Sequence, residues 1–563
     1  MSDAPLLSVE GLTVRLPPGA DRPYALRDVS LSLRAGEVLC VVGESGSGKS
    51  MAANAVMRLL PPGVRVEAGR VRLAGEDLLA LPDAAMRRVR GARVAMVFQE
   101  PMTALNPLLP IGRQVGETFR THTALPAAEV ERRVLALLDE VRLPDPAAAA
   151  RALPHELSGG QRQRAMIAMA LALEPEVLIA DEPTTALDVT TQAQILSLIR
   201  DLQRRRGTGV LFVTHDFGVV AEVADRVAVM RHGEVVETGP AREVLDRPRH
   251  EYTRALLAAV PPLAAPPPRA VATDGGPPVL SLEGLTKTYR TGGGLLARAP
   301  RRVVRAVDGV TLHLPRGGTL GVVGESGSGK STLARMVVRL LDPDAGRIVL
   351  RGGRDGRDET DLAALSRRAM RRQAGRVQMV FQDPYGSLNP RRRAGDLVAQ
   401  GPVAAGVPRA EARARARELF RLVGLREDAM DRLPHEFSGG QRQRIGLARA
   451  LAMRPEVLVA DEPVSALDVS VQAGVLRLLR DLRERLGLSM LFITHDLRVA
   501  AQVCDRVAVM RAGVVVEEGP VAEVFGHPRH EYTRALLAAV PGRGWTPPTE
   551  AAPAAAPEPV EAA

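Results

Sequence analysis

The sequence lacks any long apolar run. No stretch approaches the roughly 20 consecutive apolar residues that a membrane-spanning helix needs. The first residues, MSDAPLLSVEG, show no basic segment followed by an apolar one, so no signal peptide is expected. We therefore expect a chain without a transmembrane segment of its own.

Cysteine is nearly absent. Cys40 and Cys504 are the only two, each inside an apolar segment, which excludes a disulfide framework or a cysteine metal site and suits a reducing cytoplasm. Aromatic residues are also scarce, at 3%. The net charge is +10, but the basic residues are mixed with acids and few aromatics could stack on bases. We therefore expect no nucleic-acid partner.

Lysine is the rarest charged residue. Only Lys49, Lys287 and Lys330 occur among 75 basic residues. Two of the three lie in glycine-rich loops. A compact ammonium on a flexible stem reaches between phosphate groups, whereas a planar guanidinium does not fit there. This usage predicts phosphate binding at two places.

The octapeptide GESGSGKS occurs at 43–50 and again at 324–331, and both copies fit the phosphate-loop pattern G-x-x-x-x-G-K-[ST]. In this pattern backbone N–H groups and a helix N-terminus cradle phosphates, the lysine reaches the β- and γ-phosphates, and the serine binds Mg²⁺. We predict ATP and Mg²⁺ as cofactors. The predicted ATP-binding residues here are Gly43, Glu44, Ser45, Gly46, Ser47, Gly48, Lys49, Ser50, Met51, Gly324, Glu325, Ser326, Gly327, Ser328, Gly329, Lys330, Ser331 and Thr332.

The rest of the chain is repeated as well. VFQEPMTALNP, LPHELSGGQRQR and ADEPTTALDVT each have a close second copy, and PRHEYTRALLAAVP recurs unchanged. The chain therefore consists of two domains in tandem, 1–260 and 279–541. A proline-rich linker spans 261–278, and a disordered alanine and proline tail is expected at 542–563.

Apolar runs alternate with helical patterns in each domain, which predicts an α/β fold with a mainly parallel core sheet. Buried strands are expected at 36–43, 176–181 and 209–216, and a helix from about Gly48 to Leu60. Residues 101–157 lack β runs and predict an inserted helical subdomain. The N-terminal strands of each copy are expected to form a small antiparallel sheet.

A carboxylate pair closes a predicted strand in each domain, at the edge where α/β sheets bind ligands. Asp181 and Asp461 are predicted to hold Mg²⁺. Glu182 and Glu462 are predicted to orient and partly deprotonate an attacking water, and are the predicted catalytic bases.

LSGGQ at 157–161 and FSGGQ at 437–441 resemble the signature of ATP-binding cassette (ABC) ATPases. The resemblance extends over residues 5–541 and implies two P-loop NTPase domains. A serine that begins a helix, followed by two glycines, offers a hydroxyl and N–H groups to a phosphate. The signature residues expected to bind ATP are Ser158, Gly159, Gly160, Gln161, Ser438, Gly439, Gly440 and Gln441.

The resemblance implies further site residues. Gln99 and Gln382 match the glutamine that touches Mg²⁺ and water and senses the transmembrane partner. His215 and His495 match the histidine that contacts the γ-phosphate. In this family two domains pack head to tail, so each phosphate loop is expected to share its ATP with the signature of the other domain.

The two sites are not expected to be equal. Met51 stands where the second copy has the hydroxyl of Thr332. The resemblance places Tyr289 where the family stacks adenine, and the first copy has Leu16 there, with Tyr24 as a possible substitute. We predict weaker nucleotide binding at the first site.

The motifs QEPMTALNP and QDPYGSLNP and the repeated PRHEYTRALLAAVP resemble the oligopeptide/dipeptide importer branch of the family. This implies an ATPase peripheral to the cytoplasmic face of the membrane, two separate permease subunits and an extracytoplasmic solute-binding protein. The cysteine-rich extension of many relatives is absent, so no iron–sulfur cluster is expected. The alternative is a tandem ABC ATPase that acts on ribosomes, against which the short linker argues. A DNA-repair ABC ATPase would need a coiled-coil or zinc insertion, and neither is visible.

Overall fold

The computed structural model describes residues 4–185, 187–264, 276–291, 302–352, 358–465 and 467–548. The chain divides into two compact units, formed mainly by the residues up to Val260 and by Pro261–Val540. In the described ranges, no helix has both the length and the apolar character needed to cross a membrane. Most of the predicted linker, and the predicted tail from residue 549 onward, lie outside the described residues.

The described strands of the first unit form two sheets. The smaller sheet has the antiparallel order β2-β1-β4-β5, and the larger has the order β10-β9-β3-β8-β7-β6, in which only β10 is antiparallel to its neighbour. The strands are β1 (Leu7–Arg15), β2 (Tyr24–Leu33), β3 (Val38–Val42), β4 (Arg65–Leu73), β5 (Glu76–Asp77), β6 (Val94–Val97), β7 (Val177–Asp181), β8 (Gly209–Thr214), β9 (Arg226–Arg231) and β10 (Glu234–Pro240).

The residue patterns explain this division. Every residue of β3, β6, β7 and β8 is buried, as expected for parallel strands covered on both faces, whereas buried residues alternate along much of β1. The expected parallel core and the small antiparallel sheet are both confirmed.

The helices of the first unit are α1 (Lys49–Val56), α2 (Asp83–Val89), α3 (Pro101–Ala104), α4 (Ile111–His122), α5 (Ala127–Glu140), α6 (Pro146–Arg151), α7 (Gly159–Leu171), α8 (Val189–Arg206), α9 (Phe217–Val223), α10 (Ala241–Asp246) and α11 (Glu251–Ala258). The inserted helical subdomain is confirmed, since α3 to α7 separate β6 from β7. The expectation that the first helix extends to about Leu60 was wrong. It ends at Val56, because Arg58 adopts a left-handed φ of 51° that an α-helix does not tolerate.

The second unit repeats this architecture, with sheet orders β12-β11-β14-β15 and β16-β17-β18-β13-β19-β20. Its strands are β11 (Leu280–Thr291), β12 (Arg302–Leu314), β13 (Thr319–Val323), β14 (Ala345–Gly352), β15 (Asp358–Asp361), β16 (Val377–Val380), β17 (Val457–Asp461), β18 (Ser489–Ile493), β19 (Arg506–Arg511) and β20 (Val514–Pro520). Its helices are α12 (Lys330–Val337), α13 (Arg367–Gln373), α14 (Pro384–Ser387), α15 (Ala394–Ala404), α16 (Arg409–Leu422), α17 (Gly439–Leu451), α18 (Val469–Leu486), α19 (Leu497–Val503), α20 (Val521–Gly526) and α21 (Glu531–Ala538).

Candidate ATP sites

The strand order brings the predicted site residues of the first unit to one edge of the large sheet. The phosphate loop follows β3, Asp181 ends β7, and His215 follows β8. Because β3 pairs with β8 and β8 with β7, all in parallel, their carboxyl ends lie side by side. β6, which precedes Gln99, is the next strand in the sheet. The strand that precedes His215 therefore lies directly beside the strand that ends in Asp181.

Two glycines of the first phosphate loop are required by their surroundings. A Cβ at Gly43 would lie 2.3 Å from the carbonyl oxygen of Met230, and one at Gly48 would lie 2.9 Å from that of Ala25. Gly46 has open space around it. The loop is therefore pressed against β9 and β2 at its ends and is open in its middle, where a ligand can approach the backbone.

Lys49 is buried within this loop. Its Nζ donates to the carbonyl oxygens of Gly43 at 2.8 Å and Glu44 at 2.9 Å. The Ser47 hydroxyl is buried and has no hydrogen-bond partner among the described residues. An ammonium held at the centre of a glycine-rich loop, beside a buried hydroxyl with unused capacity, fits the phosphates of ATP.

Ser50 and Asp181 form an oxygen donor pair. The Ser50 Oγ donates to Asp181 Oδ1 at 2.9 Å. Burial, together with the neighbouring charge of Glu182, raises the pKa of Asp181 to about 6, against the opposing effect of Ser50. A buried carboxylate beside a hydroxyl offers the oxygen ligands that Mg²⁺ prefers.

Glu182 is the centre of a second cluster. Its Oε2 accepts hydrogen bonds from Gln99 Nε2 and Thr185 Oγ1, both at 2.9 Å, and its Oε1 lies 3.1 Å from His215 Nδ1. Burial alone would raise the pKa of Glu182, but the hydrogen bond and charge of His215 outweigh it and lower this pKa to about 2. The left-handed φ of 46° at Glu182 is costly for a non-glycine residue and is typical of functional positions.

The second unit repeats the phosphate loop. Lys330 Nζ donates to the carbonyl oxygens of Gly324 and Glu325, both at 2.7 Å, and lies 3.4 Å from Ser328 Oγ. Ser331 Oγ donates to Asp461 Oδ1 at 3.1 Å. Burial raises the pKa of Asp461, as it does for its counterpart.

The glutamate cluster is also repeated. Glu462 Oε2 accepts from Gln382 Nε2 at 2.8 Å and lies 3.1 Å from His495 Nδ1. Burial opposes ionisation of Glu462, yet His495 lowers its pKa overall, and φ at Glu462 is again 46°. Each unit therefore brings together its loop lysine, serine, aspartate, glutamine, glutamate and histidine.

The signature segment begins a helix in each unit. Ser158 Oγ accepts from the Gln161 N–H at 3.3 Å, and Gln161 Oε1 accepts from the Ser158 N–H at 2.9 Å, which forms a capping box at α7. A Cβ at Gly160 would lie 2.5 Å from Thr191 Cγ2, so packing against α8 requires this glycine, whereas Gly159 faces open space. Ser438 and Gln441 form the same box at α17.

The position predicted for adenine differs between the units. Tyr289 lies on β11 and is 39% exposed, whereas Leu16 and Met51 both pack against the core of the first unit. Tyr24 is already engaged, since its hydroxyl donates to Glu67 at 3.2 Å and Arg15 lies over its ring at 5.4 Å.

Three kinds of contact in these sites were not predicted from the sequence. The Arg22 guanidinium donates to the carbonyl oxygen of Gly46 in the first loop, and Thr185 donates to Glu182. The Tyr252 and Tyr532 hydroxyls reach the phosphate loops of their own units. The last contact had a signal in the sequence, because both tyrosines belong to a segment that recurs without change.

Comparison with known families agrees with this geometry. The family described as "ABC transporter" matches residues 26–185 and 307–465, and "Oligopeptide/dipeptide transporter, C-terminal region" matches 236–285 and 516–562. The chain therefore belongs to the ABC transporter family and is an ABC-type ATPase. Its two nucleotide-binding units are a tandem repeat within one chain.

The relatives share nearly the whole chain. The peptidoglycan transport ATP-binding protein YejF of Agrobacterium fabrum is 48% identical over 95% of this chain and 96% of its own length. The glutathione import ATP-binding protein GsiA of Escherichia coli O157:H7 is 47% identical over 95% of this chain and 89% of its own length. Among solved structures, the ATP-binding cassette MJ0796 bound to ADP and Pi covers 43% of this chain at 28% identity, with a TM-score of 0.38.

Proposed function

We propose that this chain is the ATP-hydrolysing subunit that powers import of dipeptides or oligopeptides through separate permease subunits. The observation that carries this proposal is the double match of the oligopeptide/dipeptide transporter C-terminal region, once in each half. The names of the relatives support it, because peptidoglycan and glutathione both contain amino acids joined by amide bonds.

Each ATP site is proposed to be completed by the signature of the other half. The first would combine Gly43–Ser50, Gln99, Asp181, Glu182 and His215 with Ser438–Gln441. The second would combine Gly324–Ser331, Gln382, Asp461, Glu462 and His495 with Ser158–Gln161. The family resemblance supports this pairing, as does the open space at Gly159 beside a helix N-terminus.

Mg²⁺ is proposed to be held by Ser50, Gln99 and Asp181 in one site and by Ser331, Gln382 and Asp461 in the other. The Ser–Asp pairs, 2.9 and 3.1 Å apart, support this assignment. When bound, Mg²⁺ neutralises charge on the phosphates.

Glu182 is proposed to accept the proton of the attacking water, with Glu462 in the same role. In the structure His215, and to a smaller extent the hydrogen bond from Thr185, keep Glu182 ionised, which makes it a weak base. If His215 turns to the γ-phosphate, the carboxylate loses its strongest stabilising contact and becomes a better proton acceptor. Nucleotide contact and base activation are then coupled through the histidine.

We expect the first site to bind ATP roughly 30-fold more weakly than the second. The reason is the missing hydroxyl at Met51 and the missing aromatic ring at Leu16, and each lost contact is worth about 1 kcal/mol. Affinity for a fluorescent ATP analogue would be measured for each site with the other lysine replaced by alanine. Met51→Thr should tighten the first site and Thr332→Met should weaken the second, and equal affinities in both backgrounds would count against the prediction.

The surfaces beside the two glutamines are proposed to contact the permeases, and they differ in chemistry. In the first unit Met102 and Leu108 are 51% and 83% exposed. In the second unit the segment that corresponds to Leu108 carries exposed Arg391 and Arg392, for which no ion pair is found in the described ranges. The first unit therefore fits an apolar segment of a permease, and the second fits an acidic one.

This proposal predicts different sensitivities. Leu108→Asp should lower the membrane-bound fraction of the chain several-fold, because it places a charge in an apolar contact. Leu59→Asp, at an exposed leucine in the segment between α1 and β4, should leave that fraction unchanged. Arg391→Glu with Arg392→Glu should also release it, and more strongly at low salt. Association is measured by co-sedimentation with membranes, and full retention of both variants would contradict the proposed surfaces.

Localisation at the cytoplasmic face of the membrane and delivery by an extracytoplasmic binding protein follow from the same proposal. To test the function, the tagged chain is purified from detergent-solubilised membranes and the associated proteins are reconstituted in vesicles. We expect two membrane proteins to co-purify. With the solute-binding protein added outside the vesicles, a labelled dipeptide should enter them only when ATP is inside. Sedimentation of the chain with ribosomes instead would refute the proposal and favour the ribosomal alternative.

A further inference from the structure

The segment PRHEYTRALLAAVP, which closes each half, reaches back to the phosphate loop of its own unit. The Tyr252 hydroxyl lies 3.3 Å from the backbone nitrogen of Glu44 and 3.1 Å from its Oε2. The Tyr532 hydroxyl lies 3.1 Å from the backbone nitrogen of Glu325. Both rings are buried, with 9% and 6% exposure. The sequence has only five tyrosines, and two of them occupy matching positions beside the two phosphate loops.

Tyr252 is fixed from its backbone. Its N–H donates to His250 Nδ1 at 3.1 Å, which caps α11. The carboxylate of Glu237 on β10 accepts the N–H groups of Arg249 at 2.7 Å and His250 at 3.1 Å. The helix start that carries the tyrosine is therefore tied to the large sheet.

The same arrangement recurs in the second unit. The Tyr532 N–H donates to His530 Nδ1 at 3.1 Å. Glu517 on β20 accepts the N–H groups of Arg529 at 2.8 Å and His530 at 3.1 Å.

The aromatic rings are fixed as well. The Arg231 guanidinium lies 4.9 Å from the centre of the Tyr252 ring, and Arg511 lies at the same distance from that of Tyr532. Arg231 is the last residue of β9, and Arg511 is the last residue of β19. In each strand the carbonyl oxygen of the preceding methionine lies against the first glycine of the phosphate loop in the same unit. The cation–π contact thus holds the ring beside the start of the loop.

The tyrosine and the lysine both form hydrogen bonds with the same peptide group. The peptide bond between Gly43 and Glu44 presents its N–H to the Tyr252 hydroxyl and its carbonyl oxygen to Lys49 Nζ, at 2.8 Å. Because a peptide group is planar, a bond that fixes the N–H also fixes the direction of the carbonyl. The same holds for Gly324, with Tyr532 on one side and Lys330 on the other.

We infer that Tyr252 and Tyr532 are positioning residues that set the phosphate-loop lysine for ATP, so that the C-terminal region of each half acts on nucleotide binding. Neither hydroxyl need touch the nucleotide. The inference goes beyond the proposed function, since it rests on nucleotide binding at the two loops and is independent of the solute and the permeases.

Tyr252→Phe is the direct test, because it removes the hydroxyl and keeps the ring against Arg231. In the full chain with Lys330→Ala, which leaves the first loop as the binding site, we expect the affinity for a fluorescent ATP analogue to fall about five- to tenfold. Thr253→Val is the matched control, since it removes a buried hydroxyl from the next residue of α11 that has no hydrogen-bond partner among the residues that the structure describes. It should bind as tightly as its parent.

A steady-state measurement separates positioning from a general loss of structure. In the otherwise unaltered chain, Tyr252→Phe with Tyr532→Phe should raise KM for ATP several-fold and change kcat by less than about twofold. Unchanged KM and affinity, or a loss of kcat alone, would overturn the inference. The melting temperature without nucleotide shows whether Tyr252→Phe destabilises the protein more than Thr253→Val does. If it does, the same affinity measurement is made on Tyr532→Phe in the chain with Lys49→Ala, and the same fall in affinity is expected.

Discussion

ATP turnover should fall by about half or more in both Glu182→Gln and Glu462→Gln, and by at least about 100-fold when the two changes are combined, because a positioned general base contributes 10²- to 10⁴-fold to rate. Glutamine is isosteric with glutamate and can still accept from Gln99 or Gln382, but it cannot take a proton from water. Phosphate release at saturating ATP is the measurement. Both glutamates lie in matching clusters, each with a glutamine and a histidine partner.

Glu131→Gln is the control for this experiment. It makes the same change at an exposed position on α5 and should leave turnover unaltered. One site variant with normal turnover while the other is inactive would show that a single site hydrolyses ATP, contrary to the expectation of two hydrolytic sites.

Removal of either phosphate-loop lysine should abolish nucleotide binding at its own loop. Lys49→Ala and Lys330→Ala each delete a buried ammonium that reaches the centre of a loop, and the loss of charge-assisted contacts with phosphates is expected to weaken binding by roughly 100-fold or more. Affinity is measured by titration with a fluorescent ATP analogue. Each variant should retain one binding phase of the original two.

The third lysine provides the matched control. Lys287 is paired with Asp344 at 2.7 Å, outside the phosphate loop, so Lys287→Ala should keep both binding phases. A loss of ATP affinity in Lys287→Ala as large as in the loop variants would mean that the effect follows from net charge and not from the loop geometry.

Much of the fold could be predicted because its signals are local. The strands β3, β7 and β8 are short, continuous apolar runs, and the phosphate loop that follows β3 has a fixed spacing of glycine, lysine and serine. The clustering of Asp181 and His215 followed from the rule that parallel strands present their carboxyl ends at one edge.

Other features depend on contacts between distant segments. Tyr252 meets Glu44 across 208 positions of the sequence, and the unchanged repeat of the segment that holds Tyr252 does not indicate which residue it contacts. Tyr24 was considered for stacking with adenine from its position in the sequence alone. In the structure its ring contacts Arg15 on β1, and its hydroxyl donates to Glu67 on β4. The end of α1 was misplaced because Arg58 adopts a left-handed conformation in which glycine is the usual residue, so the sequence contains no sign of the turn.

Each half is expected to bind one ATP at its own phosphate loop. The most direct test counts the nucleotides bound at saturating ATP and Mg²⁺ to the Glu182→Gln/Glu462→Gln chain, in which hydrolysis is suppressed. Equilibrium dialysis with radiolabelled ATP should give two per chain, and one after addition of Lys49→Ala. A single ATP per chain without the lysine change would contradict the claim.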